Sequence, residues 1–174
     1  VPVAAITSPA NASTSTVSPI NVTYTVDGAT TIPAGTTCTI NGSATTTPNT
    51  NSRTLVAGSN TISVQCTNSF GAGNTASITV SGVVPTVAIT APANNSNTTA
   101  ATTNVAYTVN GSASLPAGTT CTVNGAASTS ATTNSVSLTI GANTIPVVCT
   151  NVFGASATQN VTVNRGNTPV AAIT

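Results

Sequence analysis

Apolar side chains recur at every second position over short stretches of this chain, and each stretch ends near a Gly, Pro or Asn. The run from Ile20 to Val26 shows the pattern most clearly: Ile20, Val22, Tyr24 and Val26 fall on one side, Asn21, Thr23 and Thr25 on the other. A period of two is that of a strand with one face in a core and one in water. The same pattern predicts strands from Val3 to Thr7, Thr37 to Ile40, Arg53 to Val56, Asn60 to Thr67 and Ala76 to Val80. A short further strand is expected between Ile40 and Arg53. Asp27-Gly28 and Asn41-Gly42 follow two of these strands, and such pairs tolerate the positive φ of a tight turn. No stretch has a helical period. The fold class predicted is all-β.

The chain repeats itself. Slid by 83 positions (Val84 less Val1), Val1 to Val80 superpose on Val84 to Val163 without a gap, and more than half of the pairs are identical. Pro33-Ala34-Gly35-Thr36-Thr37-Cys38-Thr39 matches Pro116-Ala117-Gly118-Thr119-Thr120-Cys121-Thr122, and Cys66-Thr67-Asn68 matches Cys149-Thr150-Asn151. The expected organisation is domain 1 over 1–82, domain 2 over 83–166, and the first strand of a third copy over 167–174. Pro169-Val170-Ala171-Ala172-Ile173-Thr174 repeats Pro2-Val3-Ala4-Ala5-Ile6-Thr7 letter for letter, which domain 2 does not, so a two-domain super-repeat of 167 residues (Pro169 less Pro2) is expected. Linkers ending in Pro85 and Pro169 restrict the residue before each to extended conformations. Val1-Pro2-Val3 carries no start Met, basic segment or cleavage site, so the chain reads as a mature piece of something longer.

Each copy opens on Ile-Thr-x-Pro, has a central Tyr-Thr-Val followed by a turn, and an Asn-Gly after its third strand. It then runs through Gly58-Ser59-Asn60-Thr61-Ile62 or Gly141-Ala142-Asn143-Thr144-Ile145 to Phe70-Gly71-Ala72 or Phe153-Gly154-Ala155. This order resembles the bacterial immunoglobulin-like domains of extracellular surface, adhesin and fibre proteins. The resemblance implies two tandem immunoglobulin-like β-sandwiches. Antibody-type domains fit less well, because their buried Trp is missing.

Four cysteines allow three pairings. The repeat gives each copy one early and one late Cys, so the economical pairing is Cys38 with Cys66 and Cys121 with Cys149. In an immunoglobulin-like sandwich the strands holding the two are antiparallel neighbours, and parity agrees: Cys38 shares a face with Ile40, Cys66 with Val64 and Ile62. Closing such a loop should stabilise a domain by about 3–4 kcal/mol. Disulfides imply an oxidising compartment, hence an extracellular or cell-surface location. A zinc site would want His or closely spaced ligands, and there is no Cys-x-x-Cys.

Composition narrows the chemistry. Charged residues are 2% of the chain, and Asp27, Arg53 and Arg165 are all of them. A net charge of +1 leaves no field to steer nucleic acid or anionic lipid, and no apolar run suggests a membrane span. Without His, Glu or Lys there is no group suited to acid–base catalysis, so no enzyme is expected. Asp27 is Asn110 in the second copy and reads as an Asx-turn residue; Tyr24 and Tyr107 read as core. Calcium wants several carboxylates, and an isopeptide bond wants a Lys, so no metal or other cofactor is expected. Sequons place candidate N-glycosylation at Asn11, Asn21, Asn41, Asn94, Asn97, Asn110 and Asn160, and the Thr and Ser suit O-linked sugar. Pro146, aligned with Ser63, falls inside a predicted central strand, where a bulge or a broken ladder is expected.

The function expected is structural: a repeat segment of a rod, stalk, filament or sheath whose partners are further copies of itself, along the chain or laterally. Two other readings stand beside it. One is an adhesion module that binds a glycan or a surface protein through loops near Phe70 and Phe153. The other is a filament subunit that lends a strand to its neighbour.

Overall fold

Seventeen strands and no helix form among residues 1–167, which the computed structural model describes. The expected strand of a third copy, Pro169 to Thr174, lies outside them. The chain divides between Val83 and Val84 into two units. The first holds β1 (Ala4–Ser8), β2 (Ser13–Ser15), β3 (Ile20–Val26), β4 (Thr37–Ile40), β5 (Ser43–Thr45), β6 (Asn51–Arg53), β7 (Gly58–Asn68) and β8 (Gly71–Gly82). The second holds β9 (Val87–Ala91), β10 (Ser96–Thr98), β11 (Thr102–Val109), β12 (Thr120–Val123), β13 (Ala126–Ser128), β14 (Asn134–Ser137), β15 (Gly141–Asn151), β16 (Gly154–Ala155) and β17 (Gln159–Arg165).

Each unit is an immunoglobulin-like sandwich of two sheets. In the first, β1-β3-β6 faces β2-β8-β7-β4-β5; in the second, β9-β11-β14 faces β10-β17-β15-β12-β13, with β16 beside β15. The inward residues of both sheets make the core. Val22, Tyr24 and Val26 from β3 meet Ile40, Ile62, Val64 and Val80, all buried, and Val105, Tyr107 and Val109 meet the matching set in unit 2. Alternation thus assigns the faces correctly, because a slip of one residue would turn every apolar side chain outward. Among these strands β2 and β10 escape the alternation rule: Ser13-Thr14-Ser15 and Ser96-Asn97-Thr98 have no apolar member. They join the sheet through parallel pairing with β8 and β17 alone.

Three expectations need correction. The strand foreseen from Arg53 to Val56 is Asn51–Arg53 instead. Beyond it the main chain is held by side chains, the Leu55 N–H donating to Ser18 Oγ at 2.8 Å and the Val56 N–H to Asn60 Oδ1 at 2.9 Å. Leu55 still points into the core, so its apolar signal misplaced the strand. Pro146 causes neither bulge nor break: Ile145, Pro146 and Val147 pair in step with Val161, Asn160 and Gln159. The reason is visible at Ser63, whose N–H points away from β8 and donates to Asn41 Oδ1 at 2.7 Å. A proline there removes no ladder bond. Nor does Asp27 form an Asx turn; its Oδ1 reaches across to accept the Val3 N–H at 2.8 Å.

The copies differ most at their last strand. In unit 1 β8 runs unbroken from Gly71 to Gly82, and the irregularity falls in β7 between Gln65 and Thr67. In unit 2 the chain leaves the ladder between β16 and β17, where Ser156 turns inward.

Candidate functional site

The residues with chemistry to offer are the cysteines, the asparagines, the two tyrosines and three charged groups. Cys38 and Cys66 are bonded, as are Cys121 and Cys149, each pair 28 residues apart in sequence. Both pairs are directly opposed across neighbouring antiparallel strands of one sheet, β4 with β7 and β12 with β15. Their Cα atoms stand 4.1 and 4.0 Å apart, and all four sulfurs lie in the core. Residues opposed at a non-hydrogen-bonded site of an antiparallel ladder are the close ones, which is why this register accepts the bridge.

The asparagines work on the main chain. Asn51 is buried; its Nδ2 donates to the Thr47 and Val22 carbonyls at 2.8 and 3.3 Å, and its Oδ1 accepts from Thr45 Oγ1. Its own N–H donates to Asn21 Oδ1 at 2.7 Å. Shifted by 83, Asn134 makes the same bonds to Ser130, Val105, Ser128 and Asn104. Asn60 bridges Val56, Gly58 and Val80, and Asn143 bridges Thr139, Gly141 and Val163 in the same way. Asn68 and Asn151 each accept the N–H of the following Phe at 2.9 Å. A single amide that both donates and accepts fills main-chain groups left open where the ladder ends.

The sequon asparagines divide by what their amides already do. Asn21 Nδ2 donates to the Asn49 carbonyl at 3.0 Å and Asn41 Nδ2 to the Thr61 carbonyl at 3.2 Å. In Asn11, Asn94 and Asn110 only Oδ1 is engaged among the described residues, by the N–H groups of Thr79, Thr162 and Thr86 and, at Asn11 and Asn110, by the Thr79 and Thr86 hydroxyls as well. Asn97 and Asn160 are exposed, and their side chains make no hydrogen bond among the described residues.

Both tyrosines are buried in the core, 1% exposed. The Tyr107 hydroxyl meets Ser128 Oγ at 2.7 Å. Tyr24 faces Thr45 at the same place, but Thr45 Oγ1 is turned toward Asn51 and the Thr47 carbonyl. Burial pushes the Tyr24 hydroxyl above its ordinary range, and the neighbouring Thr45 offsets part of that. Arg53 and Arg165 donate to the Ser52 and Leu138 carbonyls at 3.1 and 2.8 Å. Among the described residues no three His, Cys, Asp or Glu side chains come together. A recess of about 590 Å³ is lined by Asn97, Thr98, Thr99, Asn164, Arg165 and Gly166. Phe70, at the β7–β8 tip, is 83% exposed, whereas Phe153 is half-buried.

No family model matches the chain, and no curated protein matches it. Solved structures similar to it include the fibronectin(III)-like modules of Clostridium thermocellum CbhA, at 20% identity over 95% of both chains with a TM-score of 0.38. Domains 4 and 5 of the S-layer protein SbsC are similar at 15% identity over 95% of this chain and 97% of that one, TM-score 0.45. The FN1-FN3 domains of chicken CNTN1 are similar at 11% identity over 86% of this chain and 63% of that one, TM-score 0.31.

Proposed function

We propose that this chain is a structural segment of an extracellular repeat protein, a non-catalytic building block of a rod, stalk, filament or sheath. One observation carries the reading: the asparagine brackets recur bond for bond in both copies while the side chains around them change. Thr45 becomes Ser128 and Thr47 becomes Ser130, yet each keeps its hydrogen bond. What persists is what holds a sandwich together. The paired cysteines support an oxidising location outside the cytosol. The partners in this reading are further copies of the chain.

The test is the length of the native polypeptide on a denaturing, reducing gel of source material. A mass many times that of the 174 residues supports one continuous array. A band near the mass of those residues alone would replace it with a subunit that assembles between chains.

A second reading rests on Phe70. A ring 83% exposed at a hairpin tip is an anchor for a glycan face or an apolar pocket on a surface protein. Binding on a glycan array that Phe70→Ala abolishes would establish that adhesion role; a blank array removes its glycan form.

A further inference from the structure

Three asparagines in this chain precede a glycine, namely Asn41, Asn110 and Asn124. All three sit at the same corner of the same kind of turn, with φ of 48°, 52° and 51°, and their glycines follow at 80°, 78° and 79°. All three are exposed. Neither backbone nor water access distinguishes them. What differs is the grip on the side-chain amide. Asn41 is held at both ends, its Oδ1 by the Ser63 N–H at 2.7 Å and the Ser63 hydroxyl at 3.2 Å, and its Nδ2 by the Thr61 carbonyl at 3.2 Å. Asn110 is held at one end, its Oδ1 accepting the Thr86 N–H at 2.9 Å and the Thr86 hydroxyl at 3.3 Å. The Asn124 side chain makes no hydrogen bond among the described residues, because Pro146 stands opposite it where unit 1 has Ser63, and a proline has no N–H to give.

We propose that Asn124 is a self-modification site, the position at which this protein deamidates first. The Gly125 nitrogen attacks Cγ of Asn124 and gives up its proton. The amide nitrogen leaves as ammonia, and the new N–Cγ bond closes a five-membered imide. Water, the one co-reactant, then opens the ring at either carbonyl, leaving an aspartyl or an isoaspartyl linkage with a new carboxylate. A glycine nitrogen suits the attack because no Cβ obstructs the turn of the backbone. Attack also requires Cγ to swing over that nitrogen, so each hydrogen bond on the amide must break first. The expected order is Asn124, then Asn110, then Asn41. One event at Asn124 takes the net charge from +1 to zero (+1 less 1).

The test incubates the purified 174-residue chain at mildly alkaline pH and follows the amide-to-acid mass change and isoaspartyl content of each turn peptide. Asn124 should convert faster than the tethered sites by roughly three- to tenfold for each end of the amide that is held, the factor set by the net strength of one hydrogen bond. Pro146→Ser should slow Asn124 toward the Asn41 rate, and Ser63→Pro should speed Asn41 toward that of Asn124. The parent-chain ranking needs no variant, so it decides even if a substitution impairs folding. Equal rates at the three turns, or Asn41 leading, would overturn the proposal.

Discussion

At Gly73 the absence of a side chain is structural. A Cβ there would lie 1.7 Å from the Pro2 carbonyl oxygen and 2.8 Å from its carbon, so the entering chain rests directly on the backbone of β8. Unit 2 has Ser156 at this position, with its Oγ accepting the Cys149 N–H at 3.0 Å and its N–H donating to the Cys149 carbonyl at 2.7 Å. Gly73→Ala should therefore destabilise unit 1 by about 1–3 kcal/mol, the usual cost of overpacking. An unchanged thermal midpoint for that unit would refute the contact. Tyr24 gives a second residue-scale prediction. Its folded pKa lies above the ordinary 10.0, so as pH rises the unfolded chain releases the proton first. Stability is full below about pH 10 and falls as the pH climbs through that value toward the folded one. Denaturant titrations on either side of that point should show the loss in unit 1, and Tyr24→Phe should remove it.

The cross-strand disulfides dominate at the scale of elements. Each closes a loop spanning 28 positions, and replacing Cys121 and Cys149 together by Ala should cost unit 2 about 3–4 kcal/mol. Two transitions on heating, one shifted and one not, would locate the effect in the altered unit; a common shift would not fit two separately folded bodies. The elements legible in the sequence are those whose burial follows the strand period, such as β3, β4 and the middle of β7. Strand β2 leaves no apolar pattern because Ser13-Thr14-Ser15 pairs by main chain alone. Strand β6 lies apart from the apolar signal beside it because Leu55 is buried without being in the ladder. The brackets at Asn51 and Asn60 are hidden for a similar reason, since an asparagine in a chain rich in Thr and Asn looks like a wetted surface. Their one signal is persistence at Asn134 and Asn143 amid changed neighbours. Pro146 shows the limit of residue rules. Proline conflicts with a strand only on the side where its N–H would pair.

Over the whole molecule, polar cohesion comes from neutral amides and hydroxyls rather than from ions. With one carboxylate side chain and two guanidinium groups in 174 residues, Coulomb terms have little to act through. The unfolding midpoint should stay nearly constant from dilute buffer to molar salt, and across the pH range where carboxylates and histidines titrate. A marked salt dependence in scanning calorimetry would contradict this. In each unit, moreover, an early strand lies parallel to the final one: β2 beside β8 and β10 beside β17. The flanking bonds from Ala12 to Thr79 and from Val83 to Ser15 extend the first seam, as those from Asn95 to Thr162 and from Gly166 to Thr98 extend the second. Tension applied to the two ends of a unit draws such strands past one another along their length, so the seam is loaded in shear and its bonds must fail together. Stretched singly, each unit should rupture abruptly at high force. The bridge between β4 and β7, or between β12 and β15, then keeps the enclosed segment from unravelling and shortens the released length.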